Sequence, residues 1–245
     1  MKRFFSRALY HLLGKRMVFC LPPYDYVQLV VERDLGNFLN CKQDEIRLVM
    51  IVGGYRGNEI HRMLRSYPNA QFHVFEPSKR YFASLQKTFA HTDRVKVVEL
   101  AVSDSCGEVE FYETNLGGNG SLLKVGQLSR RDYGMEQAES FRVQTITLDS
   151  YLEKNGLADK PIDLLWCDVQ GAEMKVLRGG PKALERVRTL FLEVAALEPT
   201  YEGGCMLADL NGLLRPAGFE IFGMGLDAKI GTGNAFYVNA ERRSR

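Results

Sequence analysis

The stretch Val49-Met50-Ile51-Val52-Gly53-Gly54-Tyr55-Arg56-Gly57-Asn58-Glu59 constrains this chain more than any other. A continuous apolar run that ends in closely spaced glycines and passes into a helical pattern is how α/β proteins bring backbone N–H groups up to a nucleotide-like ligand. A Cβ at such positions blocks the approach, which is why glycine is used. The same spacing has a second reading, because strand-to-helix turns also use glycine for packing.

The residues that follow repeat the alternation. Strand patterns fall at 48–52, 71–75, 95–99, 108–113, 142–146, 162–169, 189–194, 220–223 and 235–238. Helical patterns fall between them at 58–66, 78–89, from 147 or 148 onward, 171–177, 181–185 and 206–217. Such alternation predicts an α/β fold, a doubly wound and mostly parallel sheet with helices on both faces. Ahead of it, Tyr24, Val27, Val31, Leu35 and Phe38 recur at helical spacing and predict a lead-in helix over 24–39. Residues 115–140 are the least periodic part and read as a long loop, a lid over a ligand or a flexible connection. Within it, Asn119 and Ser121 are candidate substrate contacts, since Gly117-Gly118-Asn119-Gly120-Ser121 can hold an amide and a hydroxyl over a site.

Composition narrows the classes. A chain of 245 residues, 45% apolar and 25% charged, is long enough for one large folded domain and is not that of a disordered protein. A formal charge of only +2 gives no footprint for wholesale nucleic-acid binding. The five cysteines form no CxxC pair and no histidine lies at metal-ligand spacing, so no metal is expected and reduced thiols in a cytoplasmic compartment fit best. Residues 1–16 mix basic and apolar side chains at helical spacing. Arg7 and His11 break the apolar stretch that a secretory leader needs. This segment is a candidate contact with the inner face of a membrane, or a helix packed on protein. Pro22-Pro23 ends it, giving three divisions: a basic amphipathic segment 1–23, a helical lead-in 24–46, and the main domain 47–245.

Two acidic features belong with the glycine loop. Glu76 ends the second predicted strand about twenty residues beyond the loop, where a carboxylate accepts hydrogen bonds from both hydroxyls of a ribose. Asp168-Val169-Gln170-Gly171-Ala172-Glu173 follows the apolar run 162–167, and ligands of open α/β sheets lie beyond such strand ends. Glu173 also suits a helix start on dipole grounds alone. Each of the four histidines reads better as core or surface than as a catalytic base.

The order of glycine loop, FEPS, LAVSD…GEVEFY, TLDSYL, IDLLWCDVQGAEMKVLRGG and LFLEV resembles the FkbM-type methyltransferases over roughly residues 47–238. The resemblance implies a Rossmann-like class I methyltransferase fold with a seven-stranded sheet. It implies S-adenosylmethionine as cofactor and a hydroxyl of a saccharide or other small natural product as acceptor. It also implies that Gly53, Gly54 and Gly57 line the methionine and ribose side of the cofactor, that Glu76 holds the ribose, and that Ser103 and Asp104 lie near the adenine. Asp168 and Glu173 would then face the reacting centre, as first and second candidate base, and Glu193 the substrate. The loop departs from the family pattern, which places an acid where Ile51 stands and Asn where Tyr55 stands. That acid helps to hold the cofactor's methionine end, so three outcomes stay open: weaker binding, transfer of the role to Glu59, or loss, the last making the chain a non-catalytic binding or assembly relative. A nicotinamide-dependent dehydrogenase shares the loop and the ribose acid but leaves the DVQGAE block without explanation.

Overall fold

Leu48–Val52 (β2) is buried along its whole length. Its side chains point alternately to two sides, as a pleated strand requires. Leu48, Met50 and Val52 join one hydrophobic cluster, and Val49 and Ile51 join another. A strand apolar on both faces needs helices on both faces, and each cluster supplies them.

The computed structural model describes residues 19–20 and 25–242, so the basic apolar segment 1–16 lies outside the described residues. The main sheet also contains Phe19–Cys20 (β1), Gln71–Phe75 (β3), Val95–Val98 (β4), Leu164–Cys167 (β8), Thr189–Ala195 (β9), Phe219–Leu226 (β10) and Thr232–Asn239 (β11). It is eight-stranded, in the order β1-β10-β11-β9-β8-β2-β3-β4. Without the two-residue edge strand β1, seven strands remain, as expected. Strands β9, β8, β2, β3 and β4 run parallel, and β11 is antiparallel to both its neighbours.

On one face lie Asp25–Leu39 (α1), Asn58–Ser66 (α2) and Lys79–Phe89 (α3), packed through Val31, Leu35, Ile60, Met63, Leu85 and Phe89. The other face carries Leu148–Lys154 (α5), Glu173–Arg178 (α6), Pro181–Leu184 (α7) and Leu207–Leu214 (α8). Thr147 caps α5 by accepting the Ser150 N–H. Helices α1 and α2 are tied by an ion pair in which half-buried Arg62 clasps buried Glu32 with two hydrogen bonds. A second, buried pair, Arg188 with Asp163 at 2.7 Å, sits where β8 and β9 begin, and Asp163 also accepts the Arg47 and Leu48 N–H groups at the start of β2. Among the described residues no helix is long and apolar enough to cross a membrane.

The structure corrects the reading of 115–140 as a loop without regular structure. Gln127–Tyr133 is a helix (α4), and Gln137–Ile146 (β7) begins five residues before the predicted strand. Strand β7 pairs with Gly107–Thr114 (β6) and Ala101–Val102 (β5) in a separate three-stranded sheet. The predicted strands at 108–113 and 142–146 therefore belong to this second sheet. Its small core of Ala101, Phe111 and Val143 fixes the segment between β6 and α4 beside the carboxyl ends of the main strands.

Candidate functional site

Strands β3, β2 and β8 are neighbours, and each delivers one residue past its carboxyl end to a shared cavity of about 160 Å³: Glu76, Gly53 and Asp168. Phe75, Ala101, Val102 and Trp166 give it apolar walls, and Leu116, Gly117 and Gly118 lie along it from the second sheet's side. The cavity is smaller than the roughly 300–1,000 Å³ of ordinary small-molecule sites, so a nucleoside needs this cover to yield.

Gly53 has φ of 95°, and a Cβ there would meet the Asp168 carbonyl oxygen at 2.0 Å. Its lack of a side chain brings the loops after β2 and β8 into contact. The expectation that the glycine loop offers its N–H groups to a ligand is corrected, because they are used within the protein. Gly53 and Gly54 both donate to the Phe75 carbonyl, at 3.0 and 3.1 Å, and Tyr55 N–H donates to Glu76 at 2.8 Å. Gly54 and Gly57 serve packing: a Cβ on the first would strike Val74 and Leu85, and on the second Leu85 and Phe89.

Glu76 is buried, with one oxygen accepting from Tyr55 N–H and the other from Ser78 N–H at 2.9 Å. Burial pushes its carboxyl up to about 6, against those two hydrogen bonds. Each oxygen keeps acceptor capacity, which suits a vicinal diol.

Asp168 Oδ1 accepts from the Gln170 side-chain amide at 2.6 Å, and the same amide donates to Glu193 at 2.9 Å. Tyr201 O–H completes the chain by donating to the Gln170 side-chain oxygen at 2.8 Å. Burial raises both carboxyls, and two acids sharing one amide cannot easily ionise together, so Glu193 holds its proton and Asp168 is the partner that ionises first. Glu173 opens α6 with its side chain turned inward, accepting the N–H groups of Val169 at 3.0 Å and Gly171 at 3.3 Å, and burial pushes it up to about 7.

Of the predicted site residues, Gly53, Glu76 and Asp168 line the cavity; Gly54, Gly57, Ser103, Asp104, Asn119, Ser121, Glu173 and Glu193 do not. Ser103 bonds to Asp104, which pairs with Lys175 at 3.3 Å, while their neighbours Ala101 and Val102 do reach the cavity wall. The Asn119 amide bonds to the Leu116 carbonyl, and Ser121 is buried with its hydroxyl on the Gln170 carbonyl at 2.8 Å. Sequence reasoning gave no role to Gln170, Tyr81 or Tyr201, and named Glu59 only as a stand-in for the acid missing at position 51; Glu59, Gln170 and Tyr81 line the cavity. Gln170 carried a signal, standing between Asp168 and the Gly171 turn; Tyr201 carried none, being brought there by the fold alone.

Among the described residues the lining includes four carboxylates, Glu59, Glu76, Glu113 and Asp168, and no Lys, Arg or His. An acidic pocket with a diol acceptor at one end and apolar walls fits a cationic nucleoside such as S-adenosylmethionine.

The family model described as the methyltransferase FkbM domain matches residues 52–221. The chain is 31% identical over 193 residues to 2-O-methyltransferase NoeI of Sinorhizobium fredii, covering 76% of this chain and 77% of that one. It is 30% identical over 182 residues to methyltransferase sdnD of Sordaria araneosa, covering 65% and 68%. Among solved structures, the METTL16 MTase domain superposes with a TM-score of 0.51 at 14% identity, covering 94% of this chain and 75% of that one, a likeness of fold alone.

Proposed function

We propose, from the premise that this chain belongs to the FkbM family of S-adenosylmethionine-dependent methyltransferases, that it methylates a hydroxyl oxygen of a saccharide or other small natural product with Asp168 as the base. The carrying observation is that Asp168 stands on the cavity wall beside Gly53 while Glu76 stands at the far side of β2, so one ligand can span both. A relative bearing the name 2-O-methyltransferase supports an oxygen acceptor.

When bound, the cofactor supplies a methyl group on a positively charged sulfur. The protein's part is to hold, orient and deprotonate. Glu76 takes the ribose hydroxyls, and Phe75, Ala101 and Val102 offer apolar surface for the base. An attacking hydroxyl must lose its proton, and Asp168 has the reach and the raised basicity to take it. Gln170 fixes the Asp168 carboxylate in one rotamer, and Tyr201 fixes Gln170. Glu173 acts at one remove, as a positioning residue that ties down the turn after Asp168. Much of the acceleration comes from alignment, for which such fixed geometry is suited. An acceptor bearing its own carboxylate or phosphate would be repelled by four acidic side chains, so neutral hydroxyl compounds fit best.

Asp168→Asn tests the assignment. Methyl transfer from labelled S-adenosylmethionine to a panel of neutral glycans and hydroxylated small molecules should fall about 100-fold or more, with cofactor affinity largely kept. Unchanged turnover would remove Asp168 from the role; activity only on anionic acceptors would overturn the acceptor class.

A further inference from the structure

Position 51 is an acid in the usual family loop and isoleucine here, and the structure shows what became of the space. Ile51 is fully buried in the cluster that also holds Ile60 and Met63 of α2, and it does not line the cavity. Eight residues on, at the start of α2, Glu59 does. It stands in the first turn of the nine-residue α2 and is half-buried; among the described residues its carboxylate accepts no side-chain hydrogen bond, only its own backbone N–H. Burial, with Asp168 opposite, pushes it up to about 7. Nearby Arg62 offsets this only in part, because it gives two hydrogen bonds to Glu32. A carboxylate desolvated in this way gains from a cation placed against it.

The shared cavity says which cation fits. Glu59 lines it together with Glu76 and Asp168, and the charge of Asp168 reaches Glu59; with the ribose on Glu76 and the sulfur toward Asp168, the amino-acid end joined to that sulfur would lie within the same cavity. We infer that Glu59 replaces the missing acid at position 51 as the anion that holds the α-ammonium of the cofactor's methionine end. The inference rests on the reading of this cavity as the S-adenosylmethionine site.

The test compares two nucleosides on the full chain by titration calorimetry: S-adenosylhomocysteine, which carries the ammonium, and 5′-methylthioadenosine, which has the same nucleoside without the amino acid. Glu59→Gln should weaken the first about 10- to 100-fold, as expected for a charge-assisted hydrogen bond, and leave the second within about twofold. Glu59→Ala repeats the comparison if the glutamine variant does not fold. Equal loss for both ligands, or no loss for either, overturns the assignment while leaving the cofactor reading intact. If the wild-type chain takes up neither nucleoside, the cofactor reading falls and the assignment of Glu59 falls with it.

Discussion

Tyr55 occupies a backbone position that few side chains tolerate, with φ of 41°. Asparagine, the residue that the family loop usually carries there, accepts the left-handed region more easily than tyrosine, which costs about 1 kcal/mol. The ring offsets that cost. It meets Tyr81 edge-on at 4.7 Å, an arrangement that contributes about 0.5–1.5 kcal/mol. It also lies under the cover: a Cβ on Gly118 would come within 2.8 Å of the ring, and one on Gly117 within 3.1 Å of the Tyr55 and Tyr81 hydroxyls. Contact of this kind adds about 1–2 kcal/mol. Tyr55→Ala therefore loses about 2–3 kcal/mol of ring packing and keeps the backbone strain. Tyr55→Asn loses the same packing and recovers about 1 kcal/mol. Urea unfolding should place the asparagine variant above the alanine variant by about 0.3–1 M in midpoint. Hydrogen exchange at 116–120 should quicken in both, because the ring that pins the cover is gone. An asparagine variant no more stable than the alanine variant, or unchanged exchange at 116–120, would refute this account of the loop.

Two further outcomes follow from buried charge. Arg188→Ala strands Asp163 inside the junction of β2, β8 and β9 and should cost about 3–5 kcal/mol in chemical denaturation; a loss under about 1 kcal/mol would show that the pair is dispensable. Glu59, Glu173 and Glu76 hold protons in the folded state up to about 7, 7 and 6, but release them near 4.5 when unfolded. Between those limits unfolding releases protons, so stability falls as pH rises. His73, lowered to about 4 by burial, works the other way below 6.5, but it is one group against three. The melting temperature should thus be higher at pH 5.5 than at pH 8, on the order of a few degrees, and a rise toward pH 8 would contradict these protonation states.

The sheet was legible where local chemistry is unambiguous. Leu48–Val52, Asn58–Ser66 and Gln71–Phe75 match the sequence reading residue for residue, because apolar runs there are bounded by glycine or Pro68. Helix α4 was not legible: QLSRRDY is short and polar and buries only Leu128 and Ser129. The first half of β7 is exposed and shows no alternation to detect. The same division holds in the site. Strand-end logic brought Gly53, Glu76 and Asp168 to one cavity, since all three stand where parallel strands stop. Roles that depend on distant partners were hidden, as with Tyr201 reaching Gln170 from 31 residues away. Glycine spacing likewise could not separate Gly53, which lets the loops after β2 and β8 meet, from Gly54 and Gly57, which pack against α3.

The most direct test of the central claim is a crystal structure of the full chain with S-adenosylhomocysteine. The ribose hydroxyls should lie on Glu76, the sulfur toward Asp168 and the ammonium toward Glu59, with the 116–120 cover displaced. Ligand bound instead in the open groove lined by Asp104, Lys175 and Arg178, with the cavity at Glu76 unchanged, would contradict it.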